Sequence, residues 1–420
     1  MGNEQRRQSL LGPYRALDLT DDKGFICGKI LADLGADVIK IERPGGDPAR
    51  STGPFYHDIA DPEKSLYWFA LNAGKRGITL DLETSGGRDV FRHLVTRADF
   101  VVESFPPGYL DSLGLGYPTL SSLNRRLILT SITPFGQNGP YKDYKAPDLV
   151  VWALGGMLST TGDPDRAPVR ISFPHAYLHA GAEAAAATMI AYYHRETTGE
   201  GQWVDVAAQP CVEVTTAEIT QIWDATRVRV RRSGGFRIRP STGARLREVW
   251  PCRDGHVLFR VMGGKRGAGF MRALVQWMDG EGWCNDYLRN RKWEELDLGK
   301  VTQEEYSLAE EPIGKFLLTR TRAELYEGAL KRRIQLFPIN ASQDLLESRQ
   351  LEGRGFWTEV EHPELGASLR YPGAFVRLSE TPCAIARRAP LIGEHNGEIY
   401  QAELGLSKEQ LALLKQAGVI

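Results

Sequence analysis

His175, Tyr177 and His179 alternate along one short segment between Pro168 and Gly181. The two imidazoles stand at i, i+4, the spacing that places a zinc pair on one helix face, yet no third ligand is spaced to join them. Their interest lies in flanking Tyr177. A phenol has an unperturbed pKa of about 10, so it is mostly protonated at neutral pH. The five cysteines, at 27, 211, 252, 284 and 383, are odd in number and far apart. No pair has metal-ligand or redox spacing, and they read as reduced, mostly buried thiols.

Arg227, Arg229, Arg231, Arg232, Arg237, Arg239, Arg245 and Arg247 crowd a stretch punctuated by Ser233-Gly-Gly and Pro240-Ser-Thr-Gly. Nucleic-acid binding would need a basic domain with interleaved aromatic rings, and only Phe236 interrupts the arginines. Ion pairing within or between subunits is the alternative. The composition shift marks a domain boundary.

The elements that position these residues alternate between strand and helix. Arg15 to Leu19 reads as a short strand, Thr20 to Gly24 as a turn, the stretch through Cys27 to Leu34 as a helix, and Val38 to Glu42 as a second strand. This is a βαβ unit of the kind that builds a parallel sheet. The pattern recurs with strands at Gly77–Asp81, Phe100–Glu103 and Leu127–Ile132, and helices at Gly86–Arg97 and Leu120–Asn124. A long alanine-rich helix from about Tyr177 to Glu196 precedes a strand at Gln202–Val206. A doubly wound, Rossmann-like α/β sheet is expected, with its ligand at the carboxyl ends of the strands. No G-x-G-x-x-G follows the first strand, so neither NAD nor another dinucleotide is supported.

The chain has 420 residues, 42% of them apolar and 25% charged, with a formal net charge of −1. That length allows two or three domains with real cores. Near-neutral charge gives no reason to expect nucleic acid or a membrane as partner. No apolar run reaches the roughly 18–20 residues of a membrane span. Met1 to Arg7 lacks a signal peptide's apolar stretch, and Arg6 stands where a myristoylation motif beginning at Gly2 wants Ser or Thr. A cytoplasmic location is expected.

Four stretches carry a resemblance to a known family. The first joins Asp18-Leu-Thr, Gly35-Ala-Asp-Val-Ile-Lys-Ile-Glu42 and Pro44-Gly-Gly-Asp-Pro48; the second is Asn72-Ala-Gly-Lys-Arg76 with Leu80-Asp-Leu. The third is Ala98-Asp-Phe-Val-Val-Glu103 with Pro107-Gly and Leu113-Gly. The fourth joins Gly136-Gln-Asn-Gly-Pro140, Thr161-Gly162, the run from Arg195 to Gln202, and Val204-Asp205, and the tail Leu391-Ile-Gly-Glu-His395 agrees. In order and spacing these resemble the family III CoA-transferases across most of residues 15–210.

The resemblance implies a large Rossmann-like domain built from both chain ends, with a small α/β domain between, and two subunits interlocked as a dimer. The large domain then spans 11–210 and 337–420, the latter including a return linker. The arginine-rich stretch falls in a linker at 211–247, and the small domain spans 248–336. CoA is implied as part of the substrate, with no metal and no NAD. Arg43, Lys75 and Lys145 match family positions that meet its nucleotide end, and Ser104 and Phe105 match a ligand-contacting loop. CoA phosphates become a third reading of the arginine-rich stretch.

Tyr177 falls where the family carries a nucleophilic aspartate. That carboxylate attacks the donor thioester to form a mixed anhydride; the released CoA thiolate then attacks the aspartyl carbonyl, and CoA waits as an enzyme thioester for the acceptor acid. Both intermediates need a carbonyl on the enzyme's side chain, and tyrosine has none. Pro147 replaces an aromatic residue or, in related racemases, a histidine base. No glycine-rich closing loop is recognisable near 240–260. Asp148, His175 and His179 remain nearby as substitutes.

Three readings follow. The chain is one subunit of a heteromeric CoA-transferase whose homologous partner supplies the aspartate, moving CoA from a donor such as succinyl-CoA to an aromatic or substituted dicarboxylic acid. Alternatively it is a stand-alone hydrolase or lyase acting on a CoA thioester. The third reading is a CoA-thioester binding protein without chemistry.

Overall fold

The computed structural model describes residues 9–420. Met1 to Arg7, read above for leader and lipidation motifs, lie outside the described residues. Contacts divide the chain into two units: Met1–Met157 with Ile171–Gln221 and Gln350–Ile420, and Leu158–Arg170 with Ile222–Arg349.

The first unit is built on six parallel strands, β1 (Arg15–Leu19), β2 (Asp37–Glu42), β3 (Arg76–Thr79), β4 (Phe100–Glu103), β5 (Ile128–Thr133) and β6 (Trp203–Ala207). Their order is β3-β2-β1-β4-β5-β6. Every residue of β2, β3, β4 and β5 is buried. That follows from a parallel sheet covered on both faces, where strands read as continuous apolar runs rather than alternating ones. The covering helices are α1 (Phe25–Asp33), α2 (Leu66–Asn72), α3 (Ser85–Val95), α4 (Tyr117–Leu123), α5 (Asp148–Leu154), α6 (Ala176–Thr198) and α7 (Ala208–Val214).

Local signals set the helix ends. The Thr84 hydroxyl accepts the Gly87 amide at 3.0 Å to start α3, whose Phe91, Leu94 and Val95 form the inward stripe. Gly199, left-handed at φ 79°, stops α6. Within α6, Gly181 lets α1 approach closely: a Cβ there would lie 2.3 Å from Ile26 Cγ2. The C-terminal segment docks beside β3, where the Tyr400 hydroxyl donates to the Thr79 carbonyl at 2.7 Å and Arg76 pairs with Glu398 and Glu403.

The second unit has a three-stranded antiparallel sheet of β9 (Val249–Cys252), β10 (Gly255–Phe259) and β11 (Leu336–Pro338), in the order β11-β10-β9. Trp250, Phe259, Met271, Trp277, Trp293 and Phe316 form its core. The arginine-rich stretch, read as a linker, is folded here into the hairpin β7 (Phe236–Ile238) and β8 (Arg245–Arg247). Several of its arginines find partners within this unit. Arg245 and Arg247 lie over the Phe236 ring at 4.3 and 4.7 Å, Arg247 pairs with Glu310 at 2.6 Å, and Arg232 donates to three backbone carbonyls.

Among the described residues no helix is long and apolar enough to cross a membrane. Cys27, Cys211 and Cys252 are buried, Cys284 and Cys383 partly so, and all five are free thiols.

Candidate active site

The strand order reverses between β1 and β4, so the loops that follow these two strands diverge and open a crevice at their carboxyl ends. The loops are tied across its floor. The Asp21 amide donates to the Ser104 hydroxyl at 2.8 Å, and that hydroxyl donates to Asp21 Oδ1 at 2.7 Å. Two clefts adjoin this tie. The larger, of about 550 Å³, is lined by Asp22, Tyr67, Phe105, Lys145, Asp148 and Tyr177 among others. The smaller, of about 280 Å³, holds Lys40, Arg43, Asp47 and Tyr109, and Ser104 and Phe105 line both.

Tyr177 sits in the first turn of α6 and is buried. Its hydroxyl donates to the Ala146 carbonyl. Burial raises the phenol's pKa, and the carboxylates of Asp21, Asp22 and Asp148 raise it further, so it stays protonated. Asp148 opens α5 and reaches the start of α6, where its Oδ1 accepts the Ala176 amide at 2.8 Å and the Tyr177 amide at 3.4 Å. The first amides of a helix lack intrahelical acceptors and face the positive end of its dipole. His175, at the N-cap, supplies no side-chain hydrogen bond to them, and Asp148 does this work from another element. Asp148 therefore caps α6 while lining the larger cleft.

His175 and His179 are both half-buried, and the His179 ring meets Trp152 edge-on at 6.5 Å. Among the described residues no group of three or more His, Cys, Asp or Glu side chains could hold a metal ion. Lys145 is exposed on the rim of the larger cleft beside Tyr144, whose ring stacks on Tyr141 at 5.0 Å. Pro147 lines the same cleft and serves as the N-cap of α5.

Lys75 lines neither cleft. Its ammonium is fully buried and donates to Asp18 Oδ2 at 2.7 Å, Asn72 Oδ1 at 2.8 Å and the Phe25 carbonyl at 2.9 Å. An ammonium has three protons, so none remains for a phosphate. Burial works to raise the Asp18 pKa, but Lys75 and Lys40 outweigh it and hold the carboxyl below its usual range. Arg43, by contrast, follows β2 on the surface. It pairs with Glu83 at 3.0 Å, and the Tyr109 hydroxyl donates to the same Glu83 oxygen at 3.1 Å.

Asp18, Asp22, Glu83 and Glu103 were not singled out from sequence as site residues. The available signal was position: acidic residues at or just past the carboxyl ends of parallel strands border the ligand crevice.

The chain matches the model of CoA-transferase family III over residues 17–396. It belongs to that family. The family III chain is similar to the Thauera aromatica succinyl-CoA:(R)-benzylsuccinate CoA-transferase subunit BbsE, with 38% identity over 412 residues and 97% of each chain covered. It is 29% identical to the succinyl-CoA–L-malate CoA-transferase beta subunit of Chloroflexus aurantiacus, over 94% of each chain. A crystal structure of a CAIB/BAIF family protein from Brucella suis superposes with a TM-score of 0.81 at 28% identity, covering 94% of this chain and 100% of that one. The motif resemblance and the α/β fold with a parallel central sheet are both established by these matches.

Proposed function

We propose that this family III chain is one subunit of a heteromeric CoA-transferase, interlocked with a homologous subunit that supplies the nucleophilic aspartate. The reaction moves CoA from an acyl-CoA donor such as succinyl-CoA to an aromatic or substituted dicarboxylic acid. One observation carries the reading: the residue at the nucleophile position, Tyr177, has its hydroxyl tied to the Ala146 carbonyl and offers no carbonyl on which CoA could be held. Two relatives whose names designate them as subunits support the heteromer, and the name of one supports an aryl-substituted succinate as acceptor. Arg43, Ser104, Phe105 and Lys145 are proposed to meet CoA; Lys75 is proposed instead to brace the crevice by neutralising Asp18.

Purification of the native chain with its companions tests this reading. A 1:1 complex with an aspartate-bearing homologue is expected, inactive when either subunit is omitted. A homodimer of this chain with full transfer activity would overturn it.

A further inference from the structure

Glu103 ends β4 and is buried, with 4% of its surface exposed. Its Oε2 accepts the Phe105 amide at 2.7 Å. Ser131 on β5, whose hydroxyl oxygen accepts the Trp203 indole N–H at 2.9 Å, favours the ionised form of Glu103. Two carboxylates act on it, Asp21 on the loop after β1 and Asp205 on β6. Asp21 is tied to Ser104, and Asp205 accepts the Gln137 amide at 3.0 Å. The turn that Glu103 grips, Ser104–Phe105, is the wall shared by both clefts.

We propose that Glu103 is a positioning residue for the CoA thioester: by holding the Phe105 amide it fixes the wall common to the two clefts. This rests on the CoA-transferase reading of the site. Burial pushes the Glu103 carboxyl up to about 7, with Ser131 and the Phe105 amide opposing and the two carboxylates adding to the rise. The network accommodates either protonation state. A carboxyl oxygen accepts an amide proton whether the group is ionised or protonated, so Oε2 keeps the Phe105 amide in both forms. The neutral form removes a negative charge from beside an anionic ligand without releasing the wall. Ligand binding should therefore take up a proton near neutral pH.

Calorimetry on the full chain with 3′-dephospho-acetyl-CoA tests this, because the pyrophosphate of that probe holds its charge constant between about pH 6 and about pH 8. Wild-type affinity is expected to fall about threefold or more across that range. Glu103→Gln, which keeps an acceptor for the Phe105 amide and cannot ionise, should stay flat at the acid-side affinity. Glu103→Ala, with no acceptor for the Phe105 amide, should bind about tenfold more weakly at every pH. A pH slope in Glu103→Gln equal to the wild type would overturn the inference, as would wild-type affinity in a folded Glu103→Ala. Should Glu103→Ala not fold, the Glu103→Gln slope decides alone. Absence of wild-type binding at any pH would instead remove the CoA reading on which the inference rests.

Discussion

The Tyr177 hydroxyl donates its one proton to the Ala146 carbonyl, so this side chain is committed to the backbone. Burial and three nearby aspartates keep that proton in place. On the proposed reading, Tyr177 occupies the nucleophile position without the carbonyl that the transfer needs.

Tyr177→Phe should therefore leave transfer by the assembled complex within about tenfold, since one hydroxyl contact is worth about 1 kcal/mol. Steady-state assays of the complex check this. A loss of about 10³-fold with the fold intact, equal to about 4 kcal/mol of barrier, would make the phenol part of the chemistry.

Lys75 and Asp18 form an ion pair with neither side chain exposed. Lys75→Met leaves Asp18 buried and unpaired, which should lower stability by about 3–5 kcal/mol. Adding Asp18→Asn should recover part of the loss in urea unfolding. A Lys75→Met chain of wild-type stability that fails to bind CoA would instead place Lys75 on the ligand.

Arg43 is exposed but held by Glu83. If Arg43 meets CoA, Arg43→Ala should weaken binding by about 1–3 kcal/mol, the range for a charge-assisted hydrogen bond. Glu83→Gln should have the opposite sign, because it removes a competing carboxylate. Calorimetric affinities unchanged in both variants would take Arg43 out of the site.

Glu103 gives stability a pH dependence whose sign is fixed. Its carboxyl is raised from 4.5 to about 7 in the folded chain. The stabilising contribution is thus complete below the unfolded value of about 4.5 and is lost as pH rises through about 7. At one pK unit per 1.36 kcal/mol, the total is about 3 kcal/mol. Glu103→Gln cannot ionise, so its stability relative to wild type should rise between about pH 5 and about pH 8 by up to that amount, read as a shift in urea midpoint.

Sequence patterns located the parallel sheet because its strands are buried on both faces, and continuous runs such as Phe100 to Glu103 leave little ambiguity. The long α6 was legible from its alanines and from the glycine that ends it. What escaped depends on partners distant in sequence. Lys75 lies in a motif that resembles a CoA-binding one, but its burial is decided by Asp18 on β1 and the Phe25 carbonyl on α1. Asp148 gives no local sign that it caps α6. The arginine-rich stretch looked like a linker because its charges and glycines masked one aromatic, Phe236, around which two arginines fold a hairpin.

The central claim is that CoA is held covalently by the partner and never by this chain. Intact-mass measurement of the native complex, quenched during turnover with succinyl-CoA, tests it most directly. The account predicts a CoA adduct on the homologous subunit, at its aspartate, and an unmodified mass for the Tyr177 chain. A CoA adduct on the Tyr177 chain, in the complex or alone, would contradict it.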